Sequence, residues 1–251
     1  MELGLNDRVY VVTGGTRGLG RATAEALVAD GARVVVSSRS PESVEEAASS
    51  LGDRALGVAA DLADPATPQR LVDAATERFG RLDGALVSVG GPPAGTVVDT
   101  PEEAWTKAFE SVFLGALRAA RTVTAALGDG GSLALVLSTS VRSPLPGLAI
   151  SNGLRPGLGM VVKNLADEVG PRGVRVNALL PGRIDTARLQ ELDGGTPDPA
   201  ATRRRHEEAI PLRRYGRPEE FGRVAAFVLS PAASYLSGTM VPVDGGSHRT
   251  L

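Results

Sequence analysis

The chain has 251 residues, 42% hydrophobic and 22% charged, and its 27 Lys and Arg face 29 Asp and Glu. That near balance leaves no overall field to draw nucleic acid or an anionic membrane, and with no cysteine there is no disulfide, thiolate nucleophile or zinc–thiolate site. Neither the acidic, mixed start MELGLNDRVY nor any later run supplies a secretory leader or the ~18 apolar residues of a membrane span, so a soluble, cytoplasmic protein is expected.

In chain order, short apolar runs alternate with longer Ala-rich segments. RVYVVTG (8–14), ARVVVSS (32–38), RALGVAA (54–60), DGALVSV (83–89), SLALVLST (132–139), VRVNALL (174–180) and GTMVPVD (238–244) have the length and composition of buried parallel strands. Helices are predicted between them, at roughly 18–30, 41–51, 65–79, 101–127, 151–170 and 218–229. Pro65, Pro101 and Pro218 fall near three first turns, where a missing N–H costs little. Strand then helix, repeated in this way, predicts an α/β doubly wound sheet with helices on both faces. No linker, repeat or low-complexity tract divides the chain, so residues 1–251 are expected to form one domain.

The first strand runs directly into TGGTRGLG, Thr13 to Gly20, and then into the helical pattern RATAEALVADG. A glycine cluster alone is weak. Strand, glycine turn and helix in succession place backbone N–H groups around a diphosphate at a helix N-terminus, and Gly14, Gly18 and Gly20 are the positions for close backbone approach. After the second strand, a dinucleotide enzyme that grips a free ribose 2′-hydroxyl would carry a carboxylate; here the sequence is Ser37, Ser38, Arg39, Ser40. Arg39, with Arg17 of the glycine turn, suits a 2′-phosphate, so NADP(H) is expected over NAD(H). Asp61 either accepts a hydrogen bond from an adenine amino group or caps the next helix. The only histidines, His206 and His248, lack the spacing of a helical metal pair, and no metal site is expected.

Several ordered motifs, TGGTRGLG, DLAD, GPRGVRVNALLPGRIDT (170–186), RYGRPEE (214–220) and YLSGTMVPVDGG (235–246), make the chain resemble the short-chain dehydrogenase/reductase family, in particular its 3-oxoacyl-carrier-protein-reductase-like members, over nearly its full length. The resemblance implies a Rossmann-type, mostly parallel seven-stranded sheet and a nicotinamide dinucleotide. It also implies a homotetramer or homodimer built on helices near 101–127 and 151–170, and a lid over substrate at about 187–212. The nucleotide-binding positions it implies are Gly14, Thr16, Arg17, Gly18, Leu19, Gly20, Ser38, Arg39, Asp61, Leu62, Gly90, Arg155, Pro181, Gly182, Ile184 and Thr186.

Ketone reductases of that family use an Asn, Ser, Tyr, Lys tetrad, with the tyrosine thirteen residues after the serine and the lysine four further on. Counting here gives Ser138, Ser151 and Arg155 as the catalytic candidates, with Val112 in place of the asparagine and SVGG, Ser88 to Gly91, in place of NNAG. The substitutions matter physically. A tyrosine begins near a pKa of ~10 and a neighbouring cation lowers it, whereas a serine hydroxyl is a far weaker acid and an arginine keeps its proton. Ser151 and Arg155, at i and i+4, share a helix face and suit anion or hydroxyl binding; the alternatives are Ser151 as a helix N-cap and Arg155 as a ribose-binding or packing residue. Of the three tyrosines, Tyr10 and Tyr235 are expected to be structural, and Tyr215 is the one placed to swing inward. The run Arg203 to His206 is either a solvated helix face or a contact for a carboxylate, phosphate or pantetheine-bearing substrate.

The function expected is an NADP(H)-dependent carbonyl or 3-oxoacyl reductase with Ser151 and Arg155 replacing Tyr and Lys, acting on a small molecule such as an acyl thioester or carboxylate. The alternatives are a non-redox enzyme on the same scaffold (isomerase, lyase or dehalogenase-like) and a non-catalytic nucleotide-binding sensor or partner.

Overall fold

A computed structural model describes residues 2–249. The apolar runs form seven strands: β1 (Val9–Thr13), β2 (Arg33–Ser38), β3 (Ala55–Ala59), β4 (Gly84–Ser88), β5 (Ser132–Val136), β6 (Arg175–Pro181) and β7 (Met240–Val243). They make one sheet in the order β3-β2-β1-β4-β5-β6-β7, and every pairing is parallel. Thus the sheet is wholly parallel rather than mostly so.

Helices α1 (Gly18–Ala29), α2 (Pro41–Leu51), α3 (Thr67–Phe79), α4 (Glu102–Ala108), α5 (Gly115–Ala126), α6 (Ala149–Val169), α7 (Ala187–Gly194), α8 (Pro199–Ala209) and α9 (Pro218–Leu229) supply the crossovers and the cover. Alternate strand side chains point to opposite faces. Val9, Val11, Leu133 and Leu135 therefore join a core under α3, α5 and α6, with Leu71, Val123 and Leu158. Tyr10, Val12, Val34 and Leu86 join a second core under α1 and α9, with Leu27, Phe221 and Val228. The helices α1 and α9 approach so closely that a Cβ on Gly222 would lie 2.3 Å from the carbonyl oxygen of Ala22.

The predicted helix at 101–127 is broken by a π turn, Phe109–Leu114, whose last bond runs from the Gly115 amide to the Glu110 carbonyl. Gly115 lets the loop after β3 press in, since a Cβ there would sit 2.8 Å from the Leu62 carbonyl oxygen. Pro101 and Pro218 do lie at helix starts, but α3 opens at Thr67 and its first-turn proline is Pro68, not Pro65. None of the helices is long and apolar enough to cross a membrane among the described residues.

Candidate active site

The strand order reverses between β1 and β4, which opens a crevice at their C-terminal ends. Thr13 fixes that end of the sheet: its Oγ1 donates to the Ser88 carbonyl at 2.9 Å and accepts from the Ser88 amide at 2.8 Å. The glycine turn follows. Gly14 has φ +61° and would bring a Cβ to 3.1 Å from the Ser88 carbonyl oxygen, while a Cβ on Gly20 would collide with the Gly14 carbonyl oxygen at 2.3 Å. These contacts hold the turn flat against the start of α1. The α1 N-cap is Arg17, extended and without a side-chain cap bond, and no acidic residue occupies the first turn. Its first amides are therefore left for an external anion, and the positive end of the helix favours one. A diphosphate fits this cradle.

At the edge of the crevice, Ser37 is buried, Ser38 is half-buried and Arg39 is exposed. Ser40 is spent on capping α2, accepting from the Ser43 amide at 3.2 Å. Neither Arg17 nor Arg39 forms an ion pair or a side-chain hydrogen bond among the described residues, so both guanidinium groups remain available. Asp61 does not cap α3, whose N-cap is Ala66. Its Oδ1 instead accepts from the Ala63 amide at 3.0 Å, in the loop whose Leu62 packs against the core. Gly90 has open space where a Cβ would stand.

The segment after β6 returns over the glycine turn. The Gly182 amide donates to the Val243 carbonyl at 3.0 Å, Ile184 is buried and bridges to Gly216, and Thr186 caps α7. The Thr186 methyl lies 3.5 Å from the point a Cβ on Gly18 would occupy, so Pro181 to Thr186 and the glycine turn do meet. Arg188 on α7 donates to the Pro92 carbonyl at 2.7 Å and ties α7 to the loop after β4.

The SNGLR segment lies in the first turns of α6. Ser151 is not the N-cap, a place held by Leu148; it is buried inside the helix, with its Oγ 3.3 Å from Ser140 Oγ. Ser140 was not singled out by the thirteen-residue spacing, which points to Ser138. Ser138 caps the short 3-10 turn Thr139–Val141 and accepts from the Ser140 amide at 3.1 Å, so it positions the serine that meets Ser151. The signal in the sequence was the neighbouring hydroxyl in LSTS, two residues on. Asn152 pins the preceding loop by bonding both the amide and the carbonyl of Leu145.

Arg155 is buried, 7% exposed, and its Nη1 donates to the carbonyls of Val136 and Leu137, each at 2.9 Å. Burial with no acidic partner pulls its pKa down to about 10, which leaves it charged at neutral pH. Ser151 and Arg155 share a face but are not bonded to each other. Val112 is buried within the π turn, an apolar side chain in a stretch where backbone irregularity often marks function.

Tyr215 does not swing inward. It is buried, its hydroxyl donates to Asp193 Oδ2 at 2.8 Å, and burial followed by that bond pushes its pKa up to about 12. Of the run 203–206, Arg203 pairs with Asp185 and Glu207 and His206 Nε2 faces Arg183 Nη2 at 2.8 Å, while Arg204 and Arg205 are exposed. Tyr10 lies in the core with its hydroxyl toward the Leu229 carbonyl, and Tyr235 is fully exposed before β7. None of the three phenols is hydrogen-bonded to the Ser140–Ser151 pair among the described residues. No group of three or more candidate metal ligands occurs among the described residues.

Residues 14–248 match a family model described as Enoyl-(Acyl carrier protein) reductase. The chain belongs to the short-chain dehydrogenase/reductase family. Within this family it is 35% identical to levodione reductase of Leifsonia aquatica, across 96% of this chain and 94% of the relative. It is 34% identical to dehydrogenase/reductase SDR family member 4 of Bos taurus, across 98% and 89%. Among solved structures it resembles L-sorbose reductase from Gluconobacter frateurii complexed with NADPH and L-sorbose, with a TM-score of 0.91 at 31% identity and complete coverage of both chains. As a short-chain dehydrogenase/reductase it is an oxidoreductase.

Proposed function

We infer that this short-chain dehydrogenase/reductase binds NADP(H) in preference to NAD(H) and uses it to interconvert a carbonyl and an alcohol in a small molecule, an acyl thioester or carboxylate being the class expected. The observation that carries the reading is the uncapped α1 N-terminus beside two unpaired guanidinium groups, Arg17 and Arg39, with no carboxylate at the end of β2. The nucleotide supplies hydride chemistry when bound. The amides of Gly18, Leu19 and Gly20 would hold the diphosphate, and Arg17 and Arg39 would pair with the 2′-phosphate. That the related L-sorbose reductase was crystallised with NADPH supports a nicotinamide nucleotide as the ligand by likeness.

The residues beside the reacting carbon act as donors. Ser151, backed by Ser140 and, through the turn, by Ser138, presents a hydroxyl to an oxygen of the substrate, and Arg155 holds positive potential beneath it. None of these groups surrenders a proton readily near neutral pH, so the proton reaching the product oxygen comes from water. The test is to mix purified protein with NADPH and a panel of ketones, aldehydes and 3-oxoacyl thioesters and to follow the loss of nicotinamide absorbance. Turnover of a carbonyl is expected. Tight NADPH binding with no turnover of any of them would favour a non-catalytic sensor.

A further inference from the structure

The molecule holds two buried arginines that spend their hydrogens differently. Arg175 is 6% exposed, and it directs Nη1 to the Val228 and Leu236 carbonyls and Nη2 to those of Leu229 and Ser230, closing the C-terminal end of α9. Both ends of its fork are consumed by the fold. Arg155 is equally buried, but the fold uses Nη1 alone, on Val136 and Leu137. Its Nε and Nη2 have no protein acceptor. No fully enclosed polar side-chain atom among the described residues lacks a partner, so neither nitrogen of this edge, beside the C-terminal end of β5, is completely sealed.

The edge that is left has a definite shape. Nε–H and Nη2–H lie side by side in the guanidinium plane, and their parallel donors match the two oxygens of a carboxylate. The charge asks for the same ligand: a buried cation without an acidic partner is costly, and two neutral carbonyls compensate it only in part. One turn earlier on the same face stands Ser151, whose hydroxyl shares a single hydrogen bond with Ser140, so the pair retains one O–H free to donate.

We propose that the free Nε/Nη2 edge of Arg155, with the Ser140–Ser151 hydroxyl pair beside it, is a seat for a carboxylate carried by the substrate. This rests on the crevice being the substrate site of the nucleotide-dependent enzyme inferred above, and it fixes the substrate class as a carboxylic acid rather than a neutral ketone or ester. A diphosphate is already provided for at α1, so the seat serves the second ligand.

The test is binding, without turnover. Straight-chain carboxylates from acetate to octanoate, each beside its primary amide, are titrated into the NADP⁺-loaded protein by calorimetry, with thermal shift as a second reading. At least one acid is expected to bind about 10-fold or more tightly than its amide, the scale of a charge-assisted hydrogen bond. Ser151→Ala should weaken the acid and leave NADP⁺ affinity unchanged. Arg155→Lys keeps the charge and a donor for the β5 carbonyls, so it should fold, yet it should lose most of the preference because a point charge replaces a fork. The proposal is overturned if acid and amide bind alike, if neither binds, or if Arg155→Lys weakens NADP⁺ while the acid preference stays, which would make Arg155 a ribose ligand. Failure of the nucleotide reading is separate. It appears as no binding of NADP⁺ or NAD⁺, and the same acid and amide titrations on the free protein then decide this proposal alone.

Discussion

Ser140 Oγ lies 3.3 Å from Ser151 Oγ, and this buried contact joins the turn after β5 to the first turn of α6. Removing one hydroxyl strands the other, whereas removing both leaves nothing unsatisfied. Ser140→Ala and Ser151→Ala should each lower stability by about 1 kcal/mol, and the double variant should cost less than the sum. Urea denaturation of the three variants measures this; strict additivity would mean that the hydroxyls do not interact.

Arg175 closes the end of α9 through four carbonyls. In Arg175→Met these buried acceptors lose their donor, and the loss of stability should be about 2 kcal/mol or more. Arg175→Lys should recover only part of it, having one nitrogen where Arg175 uses two. A denaturation midpoint unchanged in the methionine variant contradicts the assignment.

The fold was legible because strands buried on both faces must be short and apolar, as VYVVT and RVVVSS are. Helices α7 and α8 were not. Their sequences, ARLQELDG and PAATRRRHEEA, bury little beyond Asp193 and Thr202, so no apolar stripe announces them within the segment expected to be a lid. The π turn was hidden for another reason: one extra residue in a turn hardly alters an apolar stripe, and only the Gly115 to Glu110 bond reveals it.

Within the site, the backbone cradle was legible from the glycines because a collision at Gly20 and a positive φ at Gly14 disfavour any side chain there. The hydroxyls were less so. Counting along the chain chose Ser138, but the tight turn after β5 brings Ser140 to face Ser151. Tyr215 looked free because its captor, Asp193, is twenty-two residues away in sequence and their contact is purely tertiary.

Gly20→Ala should separate the glycine turn from α1. Its Cβ would fall 2.3 Å from the Gly14 carbonyl oxygen, a backbone atom with no room to yield. Nucleotide affinity should fall by about 10-fold or more as the amides lose their alignment, and stability should fall as well. Fluorescence titration of NADPH checks the first, and binding equal to wild type would show that the turn does not hold the diphosphate.

Helices α7 and α8 should loosen in mild acid. Arg183 Nη2 can only donate, so His206 Nε2 accepts and the ring is neutral, with its proton on Nδ1 facing the Tyr215 hydroxyl at 3.2 Å. Burial first, then Arg183 and Arg205, hold the His206 pKa below its ordinary value, with Asp193 opposing. A histidine depressed in this way contributes stability that is complete above its unfolded pKa of about 6.5. That contribution is lost as the pH falls through the lower folded value. Hydrogen exchange of residues 187–209 should therefore quicken between neutral pH and pH 5, after correction for intrinsic rates. In His206→Gln, which cannot titrate, it should change less. Identical profiles in the two proteins would remove His206 from the response of α7 and α8.

Arg39→Ala should weaken NADPH by about 10-fold or more and leave NADH nearly unchanged, because only the former brings a 2′-phosphate to the exposed guanidinium. Equal losses for both nucleotides would place Arg39 against a part they share.

A phosphorylated dinucleotide is expected along α1, with Arg17 and Arg39 on its 2′-phosphate. Parallel calorimetric titrations of the wild-type protein with NADPH and NADH measure that directly. The expected result is saturable binding of both, with NADPH the tighter by about 10-fold or more. Binding of neither, or a preference for NADH, would contradict it.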